Sequence, residues 1–420
     1  MQNGLMRDTA FVRLWISNTA SGLATWALPF VLGLVIVGGE LGAAQVGMAL
    51  AARTTGFILA MPLGGVLADR SGPRRMILCA GLSAAFGIIP IILGIAASWG
   101  LVAIVLGAGI AGFGQGACRA SYQAIIPRVV PGENRQAANA AMTISIRVSI
   151  LVGPVLATAA ALRFGAVSTL WLIAVLWSVA ALVPSWPERA ATKTGHARLT
   201  GAQFLSELSD GLTEARRHPW FVAGLGALTV VIAFGYSVTS ILLPQVSQAQ
   251  YGGPRLLAAS VTAYTLGALA GALLVARWKS ANIGWIALAG LALYGLVPLS
   301  LLQADHFALP VIAFFMAGTG VELFNVPWFT ATQREIPADR LARVSSIDFL
   351  FSYGLAPLGL AGLAPLVEMV GLRPVLGLCG AICVAAPLAA MSVRGSRGFS
   401  MKSGQVRARS RTSTPASQER

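Results

Sequence analysis

Twelve runs of apolar residues, each near 20 long and set apart by short polar stretches, dominate this chain. They are Trp15–Val37, Gln45–Leu67, Met76–Ala97, Leu101–Cys118, Ala137–Leu162, Val167–Val183, Phe221–Leu243, Leu256–Ala276, Ile283–Leu302, Phe307–Phe329, Val344–Val370 and Val375–Val393. About 20 residues is what a helix needs to cross roughly 30 Å of hydrocarbon. Hydrocarbon offers the backbone no hydrogen bonds, so only helices and closed barrels span it. Nothing here alternates in the way a membrane barrel strand does. The expected fold is all-α and integral to the membrane, with twelve transmembrane helices. Composition agrees, since only 11% of the 420 residues are charged, against about 25% in soluble domains. The 47 Gly and 21 Pro sit largely inside the runs, where small residues let membrane helices pack closely. The first run is longer than a signal core and no small-residue cleavage site follows it, so it reads as a retained helix.

The net charge of +15 is sorted by side. With the N-terminus in the cytoplasm and the runs alternating, 25 of the 30 Lys and Arg fall on the inner side. The outer loops hold 3, namely Arg163, Arg255 and Arg373. Arg53 and Arg147 fall within runs. Such asymmetry fixes orientation, and predicts a multi-pass protein of the plasma (inner) membrane with both termini cytoplasmic. The basic excess thus points to anionic lipid at the cytoplasmic face rather than to nucleic acid. The tail 394–420 is expected to be unstructured and to rest on lipid, with RNA binding as its remote alternative. Cys79, Cys118, Cys379 and Cys383 read as packing groups. No metal cluster or cofactor motif is found, and no P-loop.

The longest interior polar stretch, 184–220, divides six runs from six. Domains are therefore expected at 1–14 (cytoplasmic N-terminus), 15–183 (six helices), 184–220 (linker), 221–393 (six helices) and 394–420 (tail). Within the linker, Phe204, Leu205, Leu208, Leu212 and Ala215 recur at helical spacing opposite Glu207, Asp210, Glu214 and Arg216. That pattern predicts an amphipathic helix along the membrane surface, with Thr200 as its cap. The halves echo each other: Ser149-x-x-x-Gly153-Pro154 returns as Ser352-x-x-x-Ala356-Pro357, and Gly64–Arg70 as Gly271–Arg277. Repeats of this kind suit alternating access about a site near the midplane.

The segment G-G-V-L-A-D-R-S-G-P-R-R, Gly64–Arg75, resembles the signature of the major facilitator superfamily between helices 2 and 3. Ala138–Ala141 before Val152–Ala157, and Asn325–Trp328 leading to Arg343–Asp348, resemble its drug-export, macrolide-efflux-like branch. The resemblance covers about residues 10 to 393 and implies two six-helix bundles that transport a small molecule, without a cofactor, as a monomer and not as an enzyme. It also implies a gating loop. Asp69 would contact the N-terminal end of helix 11, whose partial positive charge suits a carboxylate. Gly65 and Gly72 would allow close packing and a tight turn. Arg70, Arg74 and Arg75 would meet headgroups or neighbouring acids, and Asp348 lies one turn into helix 11. The alternative is a plain positive-inside loop. Ser149, Gly153 and Pro154 resemble an antiporter motif but depart from it at Ser149 and at Ala157-Thr158. They read equally as small-residue packing with a kink.

Ionisable residues at membrane depth default to functional candidates. Glu322 is the one carboxylate well inside a run, with Asn325 on nearly the same helix face. It is a candidate for proton coupling, or a static brace for an arginine. Arg53 and Arg147 are candidates for an anionic substrate contact or for a structural partnership with Glu322. Trp26, Phe30, Phe234, Tyr236, Phe324 and Trp328 would line an apolar cavity or face lipid, and Trp99 reads as an interfacial anchor. Three functions remain open at this point. The first is proton-coupled export of a hydrophobic or amphipathic compound. The second is uptake or uniport of a polar or anionic solute. The third is a membrane enzyme or scaffold, for which no convergent catalytic set is found.

Overall fold

The computed structural model describes residues 5–37, 41, 43–97, 99–184, 201–253, 255–278, 280–303, 305–354, 367 and 369–400. Among them are fifteen α-helices and no strand. The first seven are α1 Thr9–Val37, α2 Ala43–Ser71, α3 Pro73–Ala96, α4 Leu101–Val129, α5 Arg135–Phe164, α6 Ala166–Leu182 and α7 Gly201–Arg216. Then come α8 Pro219–Val231, α9 Ser237–Tyr251, α10 Arg255–Val275, α11 Ile283–Ala292, α12 Leu296–Ser300, α13 Ala308–Glu335, α14 Leu341–Gly354 and α15 Leu372–Met391. Among the described residues ten stretches are long and apolar enough to cross a membrane, beginning with Thr9–Val35 and ending with Leu372–Met391. Ala166–Leu182 is as apolar but shorter. The run expected at Val344–Val370 opens as α14, and most of its remainder lies outside the described residues.

Among the described residues two of the runs change winding. Ile232–Tyr236 forms a π-helical turn between α8 and α9. Leu293–Gly295 and Leu301–Gln303 are tighter 3-10 turns around α12. Periodicity alone does not reveal such changes of winding. At the end of α2 the chain reverses sharply into α3. Gly72 makes that reversal at φ 90, a conformation open to glycine and strained for other residues. Pro73 then opens α3 at the position where a missing N–H is harmless.

The chain divides into two compact units. The first comprises Met1–Leu212, Ala268–Arg277 and Ile336–Leu355. The second comprises Thr213–Gly267, Trp278–Glu335 and Ala356–Arg420. In the first, α4 packs on α2 and α3, and α1 on α5 and α6. Glycines permit the closest crossings. A Cβ on Gly56 or Gly112 would run into backbone of the facing helix, and one on Gly87 into Gly107 and Ala111. In the second unit α11 packs on α13 and α15, and α8 on α15. There Gly290 and Gly320 cross as Gly87 and Gly107 do. The internal repeat read from Ser149–Pro154 falls partly outside the described residues, because Ala356 and Pro357 do. Thr200 and the linker residues 185–199 lie outside them too, while Gly201–Arg216 is helical.

The unstructured tail expected from Arg394 needs correction over its first seven residues. Phe399 is fully buried and stands at φ 47. Its ring lies among Trp220, Phe324 and Trp328. Arg334 donates to the carbonyls of Gly398 and Phe399, and the Gly284 N–H donates to Arg397 O. The burial of one aromatic ring outweighs the polar composition around it. Residues 401–420 lie outside the described residues.

Candidate functional site

The end of α2 meets the start of α14. Gly65 and Asp69 are one turn apart on the same face of α2. A Cβ on Gly65 would collide with Ser346 and the Ala342 carbonyl, so glycine lets the two helices touch. One turn on, the Ala342 N–H donates to Asp69 Oδ1 at 3.1 Å and the Arg343 N–H to Oδ2 at 3.1 Å. Both amides belong to the first turn of α14, where a helix leaves its N–H groups without internal partners. The Arg343 Nε adds an ion pair to Oδ2 at 2.9 Å, and only 3% of the Asp69 side chain is exposed. Asp69 thus caps α14 from another helix. Arg70 turns away and pairs with Glu207 of α7. Arg74 donates to the Pro184 carbonyl at 2.9 Å, and Arg75 is exposed. Asp348 is buried further along α14, not against Asp69. The resemblance pointed to Asp69; its partner Arg343 and the Glu207 partner of Arg70 were missed, because no local pattern ties residues so far apart in sequence.

Arg53 projects from α2 within the first unit. Its Nη2 donates to Thr25 O of α1 at 3.0 Å and to Gln115 Oε1 of α4 at 2.7 Å. Gln115 is buried and was not foreseen, since a neutral residue in a glycine-rich helix carries little signal. Arg147 is half-buried on α5. Ser149 is fully buried and faces Gly22 of α1, while Gly153 lies against Leu23 and Trp26. The α5 motif, with Pro154 inside the helix, therefore lines the α1 contact. Trp26 is half-buried and Phe30 exposed.

In the second unit Glu322 is 1% exposed, in the middle of apolar α13, with Asn325 half-buried one turn on. Phe234 and Tyr236 stand exposed on the π-helical turn, and such turns are frequent at functional sites. Phe324 and Trp328 do not line a cavity. They stack on each other and pack with Phe399, and Trp328 also stacks on Phe221 at 4.8 Å. Among the described residues no group of three or more His, Cys, Asp or Glu could hold a metal ion.

Apolar helices of spanning length and glycine-mediated crossings in each unit define a polytopic membrane protein. The chain belongs to the major facilitator superfamily, whose family model matches residues 14–360. Membership makes it a transporter of small molecules rather than an enzyme. Its fold is similar to that of the human organic anion transporter MFSD10 (TETRAN), at 14% identity and a TM-score of 0.72, over 91% of this chain and 99% of that one. It is also similar to the E. coli fucose:proton symporter FucP, at 15% identity and a TM-score of 0.65, over 90% and 98%. The proton:xylose symporter XylE matches at 13% identity and 0.67, over 96% and 99%. No curated protein sequence matches the chain.

Proposed function

We propose that the protein exports a small amphipathic compound in exchange for protons, by alternating access, across the plasma membrane and with both termini cytoplasmic. One observation carries the coupling: the carboxyl of Glu322 is buried in an apolar helix. An ionisable side chain at membrane depth is a functional candidate by default, and this carboxyl carries the coupled proton as the protein alternates. Asp69 acts as the cytoplasmic latch, holding α14 to α2 until the cycle breaks it. Two of the similar structures are named as proton symporters, which supports a proton as the coupled species. The resemblance to efflux-type sequences supports export.

A second reading, uptake or uniport of an anionic solute, draws on Arg53, whose two acceptors are both neutral. Everted vesicles carrying a pH gradient separate the two. Collapse of the gradient that requires both the protein and an added compound establishes antiport. Compound entry that persists with a protonophore present favours the second reading.

A further inference from the structure

We propose that the first unit contains a binding site for the anionic group of the transported compound, formed by Arg53 of α2 and by Gln115 and Arg119 of α4. The site rests on the transport reading and names the chemistry of what is carried. It is independent of direction.

Its construction starts with glycine. A Cβ on Gly112 would meet the carbonyl of Arg53 itself, and one on Gly116 would meet that of Phe57. With α2 and α4 in backbone contact, the long Arg53 side chain lies over the face of α4. There it meets Gln115, which is 8% exposed. Arg119 is four residues further along α4 and so stands on the same face as Gln115. Because Arg53 bonds to Gln115, the two arginines are brought to neighbouring turns of one face of α4. Neither makes an ion pair with a carboxylate among the described residues. Arg53 spends one nitrogen on two neutral oxygens, and its Nε and Nη1 make no hydrogen bond among the described residues. A guanidinium carries five N–H donors, so Arg53 has donors to offer beyond these two oxygens.

Sequence leaves little to neutralise this pair. No Asp or Glu occurs between Asp69 and Glu133, or between Glu133 and Glu188. Asp69 itself is engaged with Arg343. A guanidinium at membrane depth, as Arg53 is, is costly without a partner, and a second positive charge near it adds repulsion. A carboxylate, sulfonate or phosphate lying between them offsets both terms and matches the planar fork of donors. Helices α2 and α4 are apolar over spanning length, and we assign the remainder of the ligand a hydrophobic body. The class is a small amphipathic organic anion.

The test uses full-length protein in neutral detergent with two fluorescent probes, pyrenebutyrate and pyrenebutyl-trimethylammonium. They share an apolar body and differ in charge. The expected result is at least tenfold tighter binding of the anion. Arg53→Gln and Arg119→Gln should each weaken the anion about tenfold and leave the cation unmoved, with Arg53→Lys intermediate. Equal affinities for the two probes overturn the proposal. So does unchanged anion affinity in variants that keep the wild-type melting temperature. If Arg53→Gln does not fold, Arg119→Gln carries the test, because Arg119 makes no hydrogen bond among the described residues. Displacement of the anion when phosphatidylglycerol is added to phosphatidylcholine discs also overturns it, by assigning the site to a lipid headgroup. Failure of the transport reading looks different. Arginine-dependent anion binding without any compound-dependent flux removes transport and keeps the site. Proton-linked flux of cations without that binding does the reverse.

Discussion

Asp69 does the work of an N-cap for a helix that begins 272 positions later in the chain, at Leu341. Removing its carboxylate strands two buried N–H groups and one guanidinium. An unmade buried hydrogen bond costs about 1–3 kcal/mol, more where charge is involved. Asp69→Ala should therefore lower compound flux at least tenfold while the amount of protein in the membrane, read by immunoblot, stays level. Full flux in that variant removes the latch. Glu322→Gln preserves shape and removes the acidic group. Flux driven by a pH gradient should vanish, with ligand affinity held within about twofold; retained proton dependence reduces Glu322 to a brace. At this scale the sequence exposed the residues whose chemistry is out of place. An acid among arginines at Asp69, a carboxylate in an apolar run at Glu322 and an arginine at Arg53 all declare themselves. Gln115 and Thr25 do not, because neutral side chains and backbone carbonyls become significant only when folding brings a charge to them.

Helices α7 and α14 form a contact that no single residue reveals. Arg70 reaches from the α2 end to Glu207 on α7. Four residues on, Gly211 sits beneath Arg343 and Ile347, where a Cβ would stand 3.2 Å from each. The linker helix thus touches both parties to the Asp69 contact. The Arg70–Glu207 pair is partly exposed, so its worth is about 0.2–1 kcal/mol. Glu207→Arg should change flux by a few-fold, and adding Arg70→Glu should restore it; a double variant no better than the single ones denies the pairing a role. The amphipathic spacing of α7 was legible, its docking partner was not. The residues after α15 show the opposite failure. Their composition is that of a solvated tail, yet Phe399 is buried at a φ that disfavours it by roughly 1–2 kcal/mol. Ring packing, with the Arg334 bond to its carbonyl, holds the residue there. Phe399→Ala should lose about 3–5 kcal/mol of stability, read as a lower melting temperature in detergent. A melting temperature equal to wild type would mean the ring contributes nothing.

At the scale of the whole molecule, twelve apolar runs made the fold class plain, since spanning a bilayer restricts the backbone to so few forms. Where a run changes winding, as at Ile232–Tyr236, the sequence was silent, because a π turn keeps the same apolar residues and shifts only their hydrogen bonds. Orientation rests on charge alone. Basic residues resist translocation, and the proposed arrangement leaves 25 of them inside and 3 outside. The Asp69 contact lies at the end of α2, beside Arg70, Arg74 and Arg75, so its assignment to the cytoplasmic side stands or falls with the orientation. The basic tail offers the direct check. Arg407, Arg409 and Arg411 are trypsin sites, and an affinity tag placed after Arg420 reports their cleavage. Trypsin should remove the tag from everted vesicles and leave it on intact spheroplasts. Removal from spheroplasts would reverse the topology. The α2–α14 contact would then close the outer side, and a proton entering by way of Glu322 would have to be released on the opposite face from the one proposed.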